Sequence, residues 1–445
     1  MRLADGLRID SGRFVAFVGA GGKTSAIRRL VKELHPLAPV IVSTTTRLAL
    51  GQSNLAACHM VVTDGKEPAE LGETLKRVRS VLLTGPQADE EPKWTGLDPE
   101  VLERVYGMTK GLGAVLLVEA DGARGRSLKA PAAHEPVIPT ASDRVVCVAG
   151  LDVLGMPLSS EHVHRPEKLS EILGLSGDHL VSEEDVASAL LSSEGGRKGV
   201  PPGAEFRVLL NKADDPQSLD RGREVAAAML RSPQVNAVVI ASLEREPPVH
   251  EVRGRVAGII LAAGGSARLG KPKQLVKWRG RPLIRYSARA ALEAGLSPVV
   301  VVLGSAAEGV RAALQGEEVS LVANPHWATG QSSSVRAGLR ALPQGVEAAM
   351  FLLADMPLVN VDLVTALIAE YRRTMGPIVA PRVGDEWGSP VLFDRAAFPA
   401  LRELEGDRGG KSLFGRFRVV AVPCDKELLL DIDTEEDIRR LKEHE

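Results

Sequence analysis

The residues best placed to do chemistry gather around two glycine-rich stretches, and the later one carries more of them. "GIILAAGGSARLGKPKQL" (258–275) runs from an apolar segment into glycines and then into Arg268, Lys271 and Lys273. Gly264 and Gly265 let backbone N–H groups approach anionic oxygens, and Arg268 and Lys273 add positive charge, the chemistry of phosphate binding. In "FLLADMPLV", Asp355 ends a strongly apolar run, where a carboxylate is costly to bury unless it meets a cation. Magnesium takes one or two carboxylates together with phosphate oxygens, so Asp355 reads as a ligand of nucleotide-bound Mg2+. The alternative, a helix N-cap, suits Asn360 better. "LLLDIDTEEDIRRL" offers Asp431 and Asp433, whose i, i+2 spacing points both to one side of an extended segment. Asp433 is taken for the metal, since Thr434 with Asp437 can cap the last helix unaided. "NPHWATGQSSSVRAGL" (324–339) brings Gly330, Ser332, Ser333 and Ser334 to a helix start, where they can line a base and ribose or simply cap the helix.

The earlier stretch, "FVGAGGKTSAIRRL", keeps Gly22, Lys23 and Thr24 in the GK[ST] order of a Walker A loop. There lysine meets the β/γ-phosphates and threonine meets Mg2+. Phe17 stands where that pattern has its first glycine, and Gly19 and Gly21 make a tighter loop. "LLVEADGARGRSLKAP" (116–131) puts Glu119 and Asp121 at a strand end, the place of a Walker B acid or a water-orienting residue. "LLNKADD" (209–215) holds Asn211, Lys212 and Asp214 in the NKxD form by which GTPases read guanine, although an ordinary strand exit has the same look. A second nucleotide, ATP or GTP, is therefore expected here. "HVHR" spaces His162 and His164 on one side of an extended segment, and His134 lies further off. Without a third neighbouring ligand a solvated or hydrogen-bonded pair is expected, not a metal site.

Such loops need strands to end where they begin, and apolar and amphipathic runs do alternate along the chain. "FVAFV", "VIVS", "AVLLVEAD", "RVVCVAG", "RVLLNKAD" and "AVVIAS" are strand candidates before residue 245. "VAGIILAAGG", "VVVVLG", "VSLVAN", "AAMFLLAD", "PIVAP", "SPVLF" and "RVVAVP" follow after 255. Between them "LEREPPVHEVRGR" (243–255) has no apolar periodicity and reads as a linker. This predicts two α/β domains with largely parallel sheets, 1–245 and 256–445, joined by 246–255. At 445 residues the chain exceeds one ordinary core. Its 44% hydrophobic and 25% charged residues are those of a soluble globular protein. A formal charge of -2 shows no basic excess, which speaks against a general nucleic-acid or membrane-surface binder. No run approaches a membrane span, and the first ten residues lack a signal core. Three distant cysteines, Cys58, Cys147 and Cys424, read as buried thiols of a cytoplasmic protein.

In order, "LAAGGSARLGKPKQL", "NPHWATGQSSS", "LLADMPLV", "GSPVLFDR", "GDRGGKSLF" and "LLLDIDTEED" resemble the MobA-like nucleotidyltransferases, most closely the molybdenum cofactor cytidylyltransferases. The resemblance covers nearly all of 254–445. It implies a Rossmann-like three-layer α/β/α domain that moves a CMP moiety from CTP onto the terminal phosphate of molybdenum-bearing molybdopterin, releasing pyrophosphate. It also implies catalytic roles for Arg268 and Lys273 on the triphosphate and for Asp355, which binds Mg2+ with Asp433. Ala262, Ala263, Gly264, Gly265, Ser266, Gly330 and the three serines would contact the nucleotide. "GSPVLF" and "GDRGG", with Pro390, Asp407, Arg408 and Gly409, would face the pterin. A phosphate acceptor is already a nucleophile, so such transfer needs positioning and charge neutralisation rather than a covalent intermediate. "LAAG" favours CTP over GTP but is shared with sugar and terpenoid nucleotidyltransferases. Ser389 stands where the cytidylyltransferases usually have His or Asn, so a sugar phosphate or another small phosphate stays open as acceptor. "GAGGKTS", "STTTR" (43–47), "VEADGARGRSLKAPAAHEPVIP" (118–139), "GLDVLG" (150–155) and "NKAD" look like the selenium-dependent hydroxylase accessory family (YqeC family) over about 5–245. With the Walker-type residues this predicts a P-loop-like domain that uses a nucleotide as fuel or switch in delivering the cofactor to a molybdenum hydroxylase, with transient docking to it. A non-hydrolysing binding module or chaperone is the alternative.

Overall fold

The computed structural model describes residues 1–89, 91–176, 178–266 and 269–444. It divides into two compact units, Met1–Arg253 and Gly254–Glu445. Both are mixed α/β with sheets dominated by parallel pairings.

In the first unit the strands lie side by side in the order Ala237–Ala241, Glu205–Asn211, Arg144–Gly150, Phe14–Gly19, Val115–Glu119, Val40–Thr44, Ser80–Thr84 and Cys58–Val61. Each of these neighbouring pairs is parallel. Phe14–Gly19, Val40–Thr44 and Arg144–Gly150 are buried at every position. That is why they read as continuous apolar runs and not as alternating ones. The helix Lys23–Leu34 follows the first strand and turns Ala26, Ile27, Leu30, Val31 and Leu34 inward at helical spacing. One core packs Val145, Val208 and Ile240 against Val186, Leu190 and Val225 of two helices. Another packs Phe14, Ile41, Val81 and Leu116 against Leu75 and Leu102. Two strands of this sheet were not anticipated. "SVLLT" forms Ser80–Thr84, and "CHMV" forms the half-buried edge strand Cys58–Val61, where a histidine interrupts the apolar signal.

In the second unit the order is Ser320–Ala323, Val299–Leu303, residues 254–262 of the strand Val249–Ala262, Val346–Leu353, Val391–Asp394, Ile378–Val383 and Val419–Pro423. Val391–Asp394 runs antiparallel to both neighbours and the remaining pairs are parallel. Alternate side chains feed two cores. Ile260, Val301 and Met350 pack with Ile284, Val310 and Leu367; Ile259, Val302 and Phe351 pack with Val335, Leu339 and Leu401. Helices thus cover both faces of this sheet.

Residues 249–255, read from sequence as linker, belong to the strand Val249–Ala262. Val249, Val252 and Val256 are buried, while Glu251 binds Arg223 at 2.9 Å and lies 3.6 Å from Arg253. The charged residues between the valines hid the strand. No described helix is long and apolar enough to cross a membrane. All three cysteines are free; Cys147 is buried, while Cys58 and Cys424 are partly exposed.

Candidate functional site

The strand Val249–Ala262 ends at the glycine loop, and its parallel neighbour Val346–Leu353 ends two residues before Asp355. Both loops therefore leave the sheet at the same edge, the carboxyl ends of the strands, where ligands of open α/β sheets bind. Buried Gln274 donates to the carbonyls of Ala262 (3.2 Å) and Gly264 (3.4 Å), folding the loop back on itself. Ser266 adopts φ 52°, and its Oγ accepts the amide of Lys273 at 3.0 Å. Lys273 is thereby aimed at two acids. Its Nζ donates to Asp433 Oδ1 at 2.8 Å and pairs with Asp355. The amide of Ile432 donates to the Asp355 carbonyl at 3.0 Å, tying the 431–433 segment to the strand end. Asn360 and Thr434 cap the helices that follow, as their types suggested.

Burial opposes the charge of Lys273, but Asp355 and then Asp433 outweigh it and hold its pKa above the ordinary lysine value. Asp431 is pushed up by burial and then by the charges of Asp355 and Asp433. Asp355 and Asp433 share the one ammonium of Lys273, while Asp431 also interacts with Lys411. Asp355 and Asp433 already converge on one cation, the ammonium of Lys273, and a divalent ion suits the same pair. Among the described residues no three His, Cys, Asp or Glu side chains form a ready-made metal site.

These groups line a cavity of about 750 Å³ together with Gly264, Gly265, Trp327, Gly330 and Gln331. Ala262, Ala263 and Ser334 line it too, as does Asp407, whose Oδ1 accepts the amide of Gln331 at 3.3 Å. Ser332 is fully buried, and Ser333 is tied to Gly330 and Asn324, so these two do not line that cavity as expected. A smaller cavity of about 280 Å³ shares Leu261, Gln331 and Leu353 with it and holds Phe351, Phe393, Ser389, Gly409 and Lys411. Pro390 and Arg408 line neither. Arg268 lies outside the described residues.

In the first unit Gly19, Gly21 and Gly22 have φ of 90°, 78° and 134°. A Cβ on Gly21 would stand 2.2 Å from the backbone nitrogen of Gly150, so only glycine fits this turn. Lys23, at the helix start, lies 3.1 Å from Asp121 Oδ1 and 3.8 Å from Glu119 Oε1. Thr24 Oγ1 donates to Glu119 Oε2 at 3.0 Å. Burial disfavours the Lys23 ammonium, yet Asp121 and Glu119 outweigh it and raise its pKa; burial also pushes the Glu119 carboxyl up. Asn211 is spent on the loop, donating to Gly21 O at 2.8 Å and accepting the amide of Leu243 at 3.0 Å. Lys212 binds Ser127 and Asp152, and Asp214 accepts the hydroxyl of Ser242. His164 has its pKa lowered to about 4 by burial and by Arg165 and Lys129.

Sequence reasoning missed Gln274 and Trp327, both inside stretches already singled out. It also missed Lys129, Glu135 and Arg165. Lys129 binds Asp121 and Glu135, each at 3.0 Å, and Arg165 binds Glu135 at 2.8 Å. The available signal was that Lys129 and Glu135 lie inside "VEADGARGRSLKAPAAHEPVIP" and Arg165 inside "HVHR", stretches already singled out.

The family model described as MobA-like NTP transferase domain matches residues 258–421, and the one described as YqeC protein matches 15–167. The protein YqeC of Escherichia coli (strain K12) is 30% identical over 237 residues, which cover 53% of this chain and 89% of that protein. Nicotine blue oxidoreductase of Paenarthrobacter nicotinovorans is 32% identical over 197 residues, 42% of this chain and 96% of that protein. The crystal structure of Rv0371c from Mycobacterium tuberculosis H37Rv is 32% identical with a TM-score of 0.39, covering 42% of this chain and 98% of that one.

Proposed function

The chain belongs to the YqeC family through its first unit and to the MobA-like NTP transferases through its second, and on that premise we propose that this nucleotidyltransferase joins CMP from CTP to a molybdenum-bearing molybdopterin. The carrying observation is the convergence of Lys273, Asp355 and Asp433 beside the glycine loop in one large cavity. In this reading the second unit is a Rossmann-like α/β/α domain. The amides of the Gly264–Gly265 turn and the Lys273 ammonium bind triphosphate oxygens, with Arg268 as their partner. Asp355 and Asp433 hold Mg2+, which supplies charge neutralisation on the phosphates. The terminal phosphate of the acceptor attacks the α-phosphorus, the bond from α-phosphorus to the bridging oxygen breaks, and pyrophosphate leaves. Ser334 and Gly330 face the nucleoside. The smaller cavity, lined by Phe351, Phe393 and Gly409, takes the flat pterin.

In the first unit the proposal is a P-loop-like site for ATP or GTP. The Thr24–Glu119 hydrogen bond supports it, because it sets the threonine of a GKT turn beside the acid at the end of the adjacent strand. Asp214 is the guanine-reading candidate. The unit would couple its nucleotide to delivery of the finished cofactor to a molybdenum hydroxylase.

The test is mass spectrometry of the product after incubating the full chain with CTP, GTP, Mg2+ and molybdopterin-bound molybdenum. A cytosine dinucleotide with matching pyrophosphate is expected. Pyrophosphate release with a sugar phosphate but not with the molybdenum cofactor would overturn the acceptor. In the first unit Lys23→Ala should abolish nucleotide binding, and Asp214→Ala should remove any preference for GTP over ATP.

A further inference from the structure

The lysine proposed to grip phosphates in the first unit is not free to do so. Only 3% of the Lys23 side chain is exposed, and its ammonium is shared among the Gly19 carbonyl, Asp121 and Glu119. Asp121 is buried against the loop. Its Oδ2 accepts the Gly19 amide at 3.1 Å and lies 3.0 Å from Lys129 Nζ. A loop amide and two ammonium groups are the donor set that a phosphate oxygen would seek. Asp121 Oδ1 meets the Lys23 ammonium in an ion pair at 3.1 Å.

A buried carboxylate stripped of its cation is strongly unfavourable, so Lys23 can leave Asp121 only if another cation stays. Lys129 is that cation. Its side chain is 2% exposed, and its Nζ also binds Glu135 Oε2 at 3.0 Å and the Gly122 carbonyl at 2.7 Å. Arg165 in turn fixes Glu135 at 2.8 Å. Lys129 is thus anchored independently of Lys23.

We propose that Asp121 is a resident anion occupying the place of a nucleotide phosphate in the loop, and that Lys129 is the positioning residue that retains it when Lys23 turns to the nucleotide. This rests on the nucleotide-binding reading of the first unit. Asp121 competes with phosphate for Lys23, and Lys129 weakens that competition. The two residues therefore act on affinity with opposite signs, which a merely structural pair would not.

Affinity for ATP and GTP with Mg2+ is measured calorimetrically on the full chain, with thermal unfolding as a check on folding. Asp121→Asn should tighten binding and Lys129→Met should weaken it, each by about tenfold, the range of ordinary coupling between adjacent sites. The double variant should bind more tightly than Lys129→Met alone. Folded Asp121→Asn protein that binds no better than wild type overturns the proposal. If Asp121→Asn does not fold, the double variant, which removes the two charges together, decides: affinity no better than Lys129→Met overturns it. Wild type that binds neither nucleotide sinks the underlying reading as well. Binding that Lys23→Ala abolishes and Asp121→Asn fails to tighten sinks this inference alone.

Discussion

Lys273 carries a double duty that its neighbours make visible. In this structure it neutralises two acids, and in the proposed reaction it must neutralise a triphosphate. A cation that is half-buried, fixed by the Ser266 turn and kept charged by Asp355 needs little rearrangement to do so. Lys273→Ala should therefore cost about 3 kcal/mol of transition-state stabilisation, by analogy with losing one oxyanion donor, or about a hundredfold in rate. Asp355→Ala should reduce pyrophosphate release from CTP at least as much, since it removes a metal ligand and leaves Lys273 with one acid fewer. Both variants should keep a wild-type circular dichroism spectrum, because the two side chains meet each other at the rim of a cavity and not in the apolar core. Near-normal pyrophosphate release from either would reject the assignment. Asp355 and Asp433 could be read in sequence because each sits where an apolar run stops, and Lys273 because it follows the glycine loop. The serines at 332 and 333 could not be resolved that way, since a helix start, a nucleotide contact and the Asn324 hydrogen bonds all ask for the same residue types.

Loops and strands set the next level. Gly21 has φ 78° and packs against the backbone of Gly150, so Gly21→Ala should strain the turn and force two strand ends apart. A loss of at least ~2 kcal/mol is expected, seen as a lower melting temperature together with lost nucleotide binding. A melting curve unchanged from wild type would mean that the loop does not need the positive φ. The segment after Lys129 depends instead on charge. Burial works against the Glu135 carboxylate, but Arg165 and Lys129 hold its pKa down at about 2 from an ordinary 4.5. A depressed carboxyl stabilises the fold above its unfolded pKa, and that stability is lost as pH falls through the folded value. Glu135→Gln should thus be less stable than wild type by roughly 2–3 kcal/mol at neutral pH. The gap should narrow from pH 4.5 downward and close near pH 2, as urea unfolding at several pH values would show. Elements buried on both faces, such as Phe14–Gly19 and Val299–Leu303, were legible because nothing polar interrupts them. Val249–Ala262 was legible only in its later part, since Glu251 and Arg253 satisfy each other at partly exposed positions and break the pattern that a sequence shows. The reversal of Val391–Asp394 had no sequence signal: a buried antiparallel strand and a buried parallel one are equally apolar.

At the scale of the chain, two phosphate-binding designs in one polypeptide invite the question of whether they form one machine. Four apolar clusters each draw on one unit alone, two on the first and two on the second. The loops also differ in what they offer. Lys23 is locked among buried acids, as suits a site that changes state when its ligand arrives, whereas Lys273 faces a large open cavity, as suits a site that turns substrates over. Energetic effects at sites with no shared partners are additive, so chemistry in one unit should tolerate loss of the other's loop. Asp355→Ala should leave ATP and GTP affinity in the first unit within about twofold of wild type, inside the few tenths of a kcal/mol by which independent sites add. Lys23→Ala should still form the dinucleotide when CTP and free cofactor are in excess, and should fail only where the product has to be handed to its hydroxylase. If Lys23→Ala instead released no pyrophosphate under those conditions, the first nucleotide would be an obligatory step of the transfer itself. The chain would then be a single coupled enzyme, not two activities sharing a polypeptide.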